Sequence, residues 1–183
     1  DVQLPTDDGR TDRSSCLRIG THLVIQKVVS DALLDRILDS IYSSDERGTG
    51  LFLDLAAYSI ITENNAGQYY PDYAYNHPLF TAGHRIYSDA TVSEFIRQIS
   101  INDSVKFQNE WNSTKDHREK IYISYDSTNK NCQAGDIDIV EFGHAKDDKG
   151  EPVFNYSIAY DTQNREPLFY EEYPGSIVDV SQL

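Results

Sequence analysis

The apolar positions of this chain change their period once, and the change divides it. Over residues 31–42, Leu33, Leu34, Ile37, Leu38 and Ile41 recur at helical spacing on one face. Ser30 stands where the N-cap of that helix belongs, and Thr21 does the same for a shorter helix over 22–29. Residues 43–50, rich in Ser, Asp and Gly, read as a loop. Residues 51–62 are apolar almost all round, the pattern of a buried central helix. Residues 64–82 read as an irregular connector packed by Tyr69, Tyr70, Tyr73 and Tyr75. Ser88 caps a helix running to about Ile99, with Ala90, Val92, Phe95 and Ile96 on its apolar face. A further helix over about 102–114 carries Val105, Phe107 and Trp111. Residues 16–115 thus read as all-helical.

After Arg118 the period shortens. Residues 121–126 are β-branched, aromatic or small and read as a strand that ends on Asp126. Asp136-Ile137-Asp138-Ile139 alternates strictly but is short. Residues 153–160 and 168–173 are two more strands, split by the turn cluster Asp161-Thr162-Gln163-Asn164, so they predict an antiparallel hairpin. Pro174-Gly175-Ser176 closes the hairpin, and residues 177–183 read as the start of a helix with Asp179 near its N-cap. The expected class is α+β.

At 183 residues and 39% apolar content, the chain can bury a real core. Its aromatics are weighted to tyrosine, 13 Tyr against 1 Trp. No run of 18 apolar residues suggests a membrane span, and no signal peptide is visible. Cys16 and Cys132 form neither a disulfide framework nor a metal knuckle, which points to reduced thiols in a cytoplasm. The absence of methionine and the polar, unpatterned first 15 residues suggest a fragment with a linker or disordered lead-in. The net charge is −14, and both halves are acidic. Phosphate backbones are held by Lys and Arg that displace counterions, so any nucleic-acid contact here needs a local basic face.

Asp126 is the main chemical candidate. A carboxylate in an apolar strand is costly if buried unpaired, and a divalent metal would compensate it. The competing reading is a cap on the turn Ser127-Thr128-Asn129. A calcium loop starting at Asp126 fails, because Lys130 occupies a ligand position and no glycine stands sixth. Asp136, Asp138 and Glu141 could add carboxylates, though alternating acids usually form a solvated face. His77 and His84 lack metal-ligand spacing and read as structural, and His117 reads as surface. His144 lies in the loop Gly143-His144-Ala145-Lys146-Asp147, a place for a phosphate or substrate contact that no spacing indicates. Three glycosylation-type triplets, at Asn102, Asn112 and Asn155, read as chance. No phosphate-cradling glycine loop, Gly-x-Ser-x-Gly or Cys/His zinc spacing occurs.

An ordered set of motifs carries a family resemblance. Tyr-Asp-Ser-Thr at 125–128 resembles the first catalytic strand of DDE insertion-sequence transposases. Gly143, Lys146 and Asp147 follow as a Gly-x-x-Lys-Asp loop, then a hairpin whose second strand opens Arg-Glu-Pro-Leu at 165–168. It ends Tyr-Pro-Gly-Ser at 173–176, with Asp179 beyond. Residues 50–57 and 86–96 are more weakly similar to the family's N-terminal region.

Beyond the polar lead-in over 1–15, the resemblance implies a helical DNA-binding or assembly domain over 16–118, and over 119–183 the first part of an RNase H-like catalytic core. That core would be a three-stranded, mainly antiparallel sheet that stops before the fourth strand. It implies a DNA transposase that cuts and joins transposon ends by two-metal phosphoryl transfer, acting as a homo-oligomer in a bacterial or archaeal cytoplasm. Asp126 would be the first catalytic acid and a ligand of Mg2+ or Mn2+, with two ions held about 3.5–4 Å apart by acids from later in the family's chain. Lys146 and His144 would be DNA contacts, and Arg85, Arg97 and Lys106 are weaker candidates. With only the first acid present, this chain is expected to be inactive alone, and its first strand should be an edge covered by a partner chain, a swap or the helical domain. The competing classes are a non-catalytic binding or scaffolding domain of the same fold and a related RNase H-like nuclease.

Overall fold

A computed structural model describes residues 16–115, 121–133, 135–146 and 150–177. The predicted features at His117, Asp147 and Asp179, and most of the predicted C-terminal helix, lie outside these residues. The fold is α+β: among the described residues, six α-helices precede a three-stranded antiparallel sheet. It divides into two compact units, Asp1–Glu110 and Trp111–Leu183.

In the first unit, α1 (Gly20–Asp31) and α2 (Leu34–Tyr42) replace the two expected helices. Their break falls later than the capping residues suggested. Thr21 and Ser30 lie inside α1, and Leu33 makes the corner with a left-handed backbone, φ 56°. That conformation costs a branched residue about 1 kcal/mol, so packing of Ile37 and Leu38 in the core must hold it. Helix α3 (Gly48–Thr62) starts inside the expected loop and buries Leu51, Leu53, Ala57 and Tyr58, as its apolar sequence predicts, and Asp54 with them.

The expected connector is instead partly helical. A single 3-10 turn, Gly67–Tyr69, leads into α4 (Tyr70–Asn76), with Pro71 in its first turn. Tyr70 and Tyr73 are buried there, whereas Tyr69 and Tyr75 are exposed. The core is correspondingly tyrosine-rich. Tyr58, Tyr70 and Tyr73 pack with centroids 5.4–6.5 Å apart beside Leu51, Leu79, Val92 and Phe95. A second cluster joins Val29, Leu38 and Leu53.

Helix α5 (Asp89–Gln98) is capped as predicted, Ser88 Oγ accepting from Thr91 N. It buries only Val92 and Phe95; Ala90 and Ile96 face out. Helix α6 (Ile101–Ser113) spans the boundary between the units.

In the second unit, strands β1 (Ile123–Asn131), β2 (Val153–Asp161) and β3 (Glu166–Pro174) form a meander in the order β1-β2-β3. One face of β2 is buried through Val153, Asn155, Ser157, Ala159 and Asp161. The hairpin turn is organised by Asp161, whose carboxylate accepts from Gln163 N, Asn164 N and Asn164 Nδ2 at 2.9, 3.3 and 2.6 Å. The C-terminal end of α6 lies on the start of β3: Trp111 Nε1 and Asn112 Nδ2 donate to the carbonyls of Pro167 and Leu168 at 2.7 and 2.8 Å. Asp136–Ile139 does not form the expected strand; its residues lie in turns.

Candidate functional site

Strand β1 continues five residues beyond Asp126, through the segment Ser127-Thr128-Asn129 that the sequence suggested as a turn. Asp126 therefore caps nothing. It sits mid-strand opposite Ile158 of β2, which in turn lies opposite Tyr170 of β3. Directly paired residues share a face, so the cross-strand neighbours of Asp126 on its own face are Ile158 and Tyr170 rather than a second acid. This face is the exposed one. The Asp126 carboxylate is solvated and has no hydrogen-bond or ion-pair partner among the described residues. The burial cost that drew attention to it does not arise.

The outer edge of β1 is set by the ladder. Thr162 N donates to Tyr122 O, and Cys132 N donates to Pro152 O, each at 2.9 Å. Antiparallel ladders alternate, so even-numbered residues of β1 direct their peptide groups at β2 and odd-numbered ones away from it. The Ser127 carbonyl on that outer edge accepts from Lys146 Nζ at 2.7 Å. Asn129 then fixes the loop that carries the lysine: its Nδ2 donates to His144 O at 2.8 Å, and its Oδ1 accepts from Lys146 N at 3.0 Å. An amide side chain bonded to both ends of a short loop segment imitates a strand partner. Asn129 is three residues past Asp126, so its side chain leaves the opposite face of the strand.

The structure thus brings all three candidates to one strand but not to one pocket. His144 is exposed and is held through its backbone; Lys146 is committed at one of its donors to the strand edge. The lysine also satisfies one acceptor of an edge that the sequence expected other chains or the helical domain to cover.

The same loop is locked at its other end. Gly143 lies against Gly175, where an added Cβ would meet the Gly175 carbonyl oxygen at 1.8 Å. Glu141 and Val153 exchange backbone hydrogen bonds at 2.9 and 2.8 Å, and Gly175 N donates to Ile139 O. The Ser176 hydroxyl completes the junction on the Glu141 carboxylate.

His77, His84, Arg85, Arg97 and Lys106 all belong to the first unit. His77 is buried, stacked on Tyr73 at 4.1 Å, with Nδ1 2.8 Å from Tyr73 O. His84 is exposed at a turn with φ 56°. Lys106 Nζ donates to Ser40 O at 2.6 Å, and Arg85 lies over the Tyr87 ring at 5.1 Å. Among the described residues, no group of three or more His, Cys, Asp or Glu side chains could hold a metal ion.

Among the described residues two carboxylates are buried: Asp161 of the hairpin turn, and Asp54, which no motif of the sequence singled out. Asp54, in the apolar run of α3, is 1% exposed. It accepts from Phe80 N, Thr81 N and Thr81 Oγ1 at 2.6, 3.1 and 2.6 Å. Gly50, one turn earlier, permits the contact, since a Cβ there would lie 2.7 Å from Thr81 Cα. The signal was an acid inside a run apolar all round, the argument applied to Asp126.

Comparison with protein-family models, curated proteins and solved structures gives no match for this chain. No helix among the described residues is long and apolar enough to cross a membrane.

Proposed function

We propose that this chain is part of a DDE transposase, with its second unit the beginning of an RNase H-like catalytic core and Asp126 the first metal-ligating acid. The observation that carries the reading is convergence. The Tyr-Asp-Ser-Thr strand, the Gly-x-x-Lys loop and the Pro-Gly-Ser corner are spread over 52 residues of sequence, yet they meet in one knot. Lys146 and Asn129 join the loop to β1, and Gly143 meets Gly175. A set of motifs that is physically one unit is stronger support than three separate tetrapeptides.

A solvated carboxylate on a regular strand fits a single ligand position. It does not by itself fit a pair of ions, and no described group supplies the rest. When bound, the metals would activate a nucleophile and stabilise the leaving oxygen. The contribution of this chain's own residues is positional: β1 holds the Asp126 backbone by its ladder to β2, and the Asn129–Lys146 clamp stiffens the strand's outer edge.

The test is a strand-cleavage and joining assay with Mg2+ or Mn2+ on DNA carrying the inverted repeats that flank the coding sequence. The reading expects such repeats to exist, the chain to bind them, and the 183-residue chain alone to give no joining. Coding sequence without flanking repeats favours the related nuclease. Joining by this chain alone, abolished in Asp126→Ala, would show that its acids are complete.

A second reading, a non-catalytic binding or scaffolding domain, is favoured by the face around Asp126. Ile158, Tyr160 and Tyr170 are exposed there where further acids would be needed.

A further inference from the structure

The first unit carries a groove unconnected with Asp126. Two depressions of about 510 and 390 Å3 share Asp35, Leu53 and Phe80, and so form one continuous trough between α1, α2, the start of α3 and the Phe80 loop. Its floor is apolar: Val29 and Leu53 belong to the second core cluster, and Phe80 packs against it. Leu23 of α1 forms one wall and stays 53% exposed.

The unpaired charges of the rim have one sign. Asp35, Asp39 and Glu46 line it and have no ion-pair partner among the described residues. The cation on the rim, Lys27, is already paired with Asp31, and the further acid Asp45 is paired with Arg47 at 3.0 Å. The Thr49 hydroxyl on Asp39 orients that carboxylate without neutralising it.

An apolar trough beneath unpaired carboxylates repels a phosphate backbone and attracts a cationic chain with apolar side chains. We propose that this groove docks a basic amphipathic segment of a partner protein, with large apolar residues on Leu53 and Phe80 and Lys or Arg against Asp35, Asp39 and Glu46. The geometry of helix-in-groove recognition fits it, since i, i+3, i+4 apolar anchors leave the flanking positions free for charge. The inference does not depend on the transposase reading.

The test uses the whole chain and a fluorescently labelled 15-residue Leu/Lys amphipathic peptide, with its Leu/Glu isomer as control, read by anisotropy. The Leu/Lys peptide should bind, weakening at least tenfold from low salt to about 0.5 M salt as rim charges are screened. Asp39→Lys with Glu46→Lys should weaken it at least tenfold. Leu23→Glu, on an exposed wall, should do the same even if the double variant fails to fold. Glu63→Lys, ten residues beyond Leu53 and about 15 Å along α3, should leave binding unchanged. Equal binding of the Leu/Glu isomer, an equal loss in Glu63→Lys, or no loss in Leu23→Glu would overturn the proposal. So would self-association of the chain in sedimentation that Leu23→Glu abolishes, since the groove's occupant would then be a second copy.

Discussion

Gly143 and Gly175 cross backbone to backbone, so closely that a Cβ on Gly143 would fall 1.8 Å from the Gly175 carbonyl oxygen. The contact ties the loop holding Lys146 to the corner that ends β3. Gly143→Ala must therefore displace one of the two segments, a forced overpacking worth at least about 2 kcal/mol. Gly135, with nothing within 4 Å of an added Cβ, is the control: Gly135→Ala should change stability by less than about 1 kcal/mol. Urea unfolding of the two variants measures the difference, and equal midpoints would remove the glycine crossing from the account.

Asp54 is expected to matter more to stability than any acid on the sheet. Asp54→Ala strands two backbone donors and the Thr81 hydroxyl in the core, at a cost of about 3 kcal/mol. Asp54→Asn keeps one acceptor oxygen and should lose less. The comparison is made by chemical denaturation at pH 7; a loss below about 1 kcal/mol for the alanine variant would contradict the anchoring role.

Tyr73 should be felt in alkali. Burial, reinforced by the nearby Asp54 charge, pushes its phenol up to about 12 from 10.0. A group whose folded value is raised stabilises the fold fully below its unfolded value and ceases to as pH rises through the folded one. Stability should therefore fall between about pH 10 and 12. Its hydroxyl is also buried without a hydrogen-bond partner among the described residues. Tyr73→Phe should flatten the alkaline fall and be neutral or slightly stabilising at pH 7, followed by thermal melts across that range.

Asp161 should act at the acid end. Burial pushes its carboxyl up, but hydrogen bonds from the Asn164 side chain and backbone, and from the Gln163 and Tyr122 backbones, outweigh that and hold it below the ordinary 3.8. The stabilisation is complete above the unfolded value and is lost as pH falls through the folded one. Asp161→Asn should thus be less stable than the parent at pH 7, and the gap should close as pH falls below the ordinary carboxyl range. Hydrogen exchange at the Gln163 and Asn164 amides measures it locally; a gap that persists undiminished at low pH would contradict the assignment.

Elements with a strong local signal were legible in the sequence. The mostly apolar α3, the Ser88 cap and the hairpin with its Asp161 turn appear as the residues dictate. What the sequence misplaced depends on tertiary contacts. The α1–α2 corner rests on Leu33 in a left-handed backbone, which no local preference foretells. Helix α4 forms in a segment of weak helix formers because Tyr70 and Tyr73 reach the core. Strand β1 runs past Asp126 because Asn129, Ser127 and Lys146 give polar residues partners at the sheet edge. The candidate site was legible as motifs, but its solvation and its apolar face partners were not, because pairing register is a property of three strands together.

The most direct measurement of the central claim is a Mn2+ titration of the 183-residue chain followed by paramagnetic broadening of its backbone amide NMR signals. The account predicts weak binding, as one carboxylate allows, with broadening centred on Asp126 and its neighbours Tyr125 and Ser127 and on the facing Ile158, and lost in Asp126→Asn. Broadening centred elsewhere and unchanged in Asp126→Asn would contradict Asp126 as the metal-ligating acid.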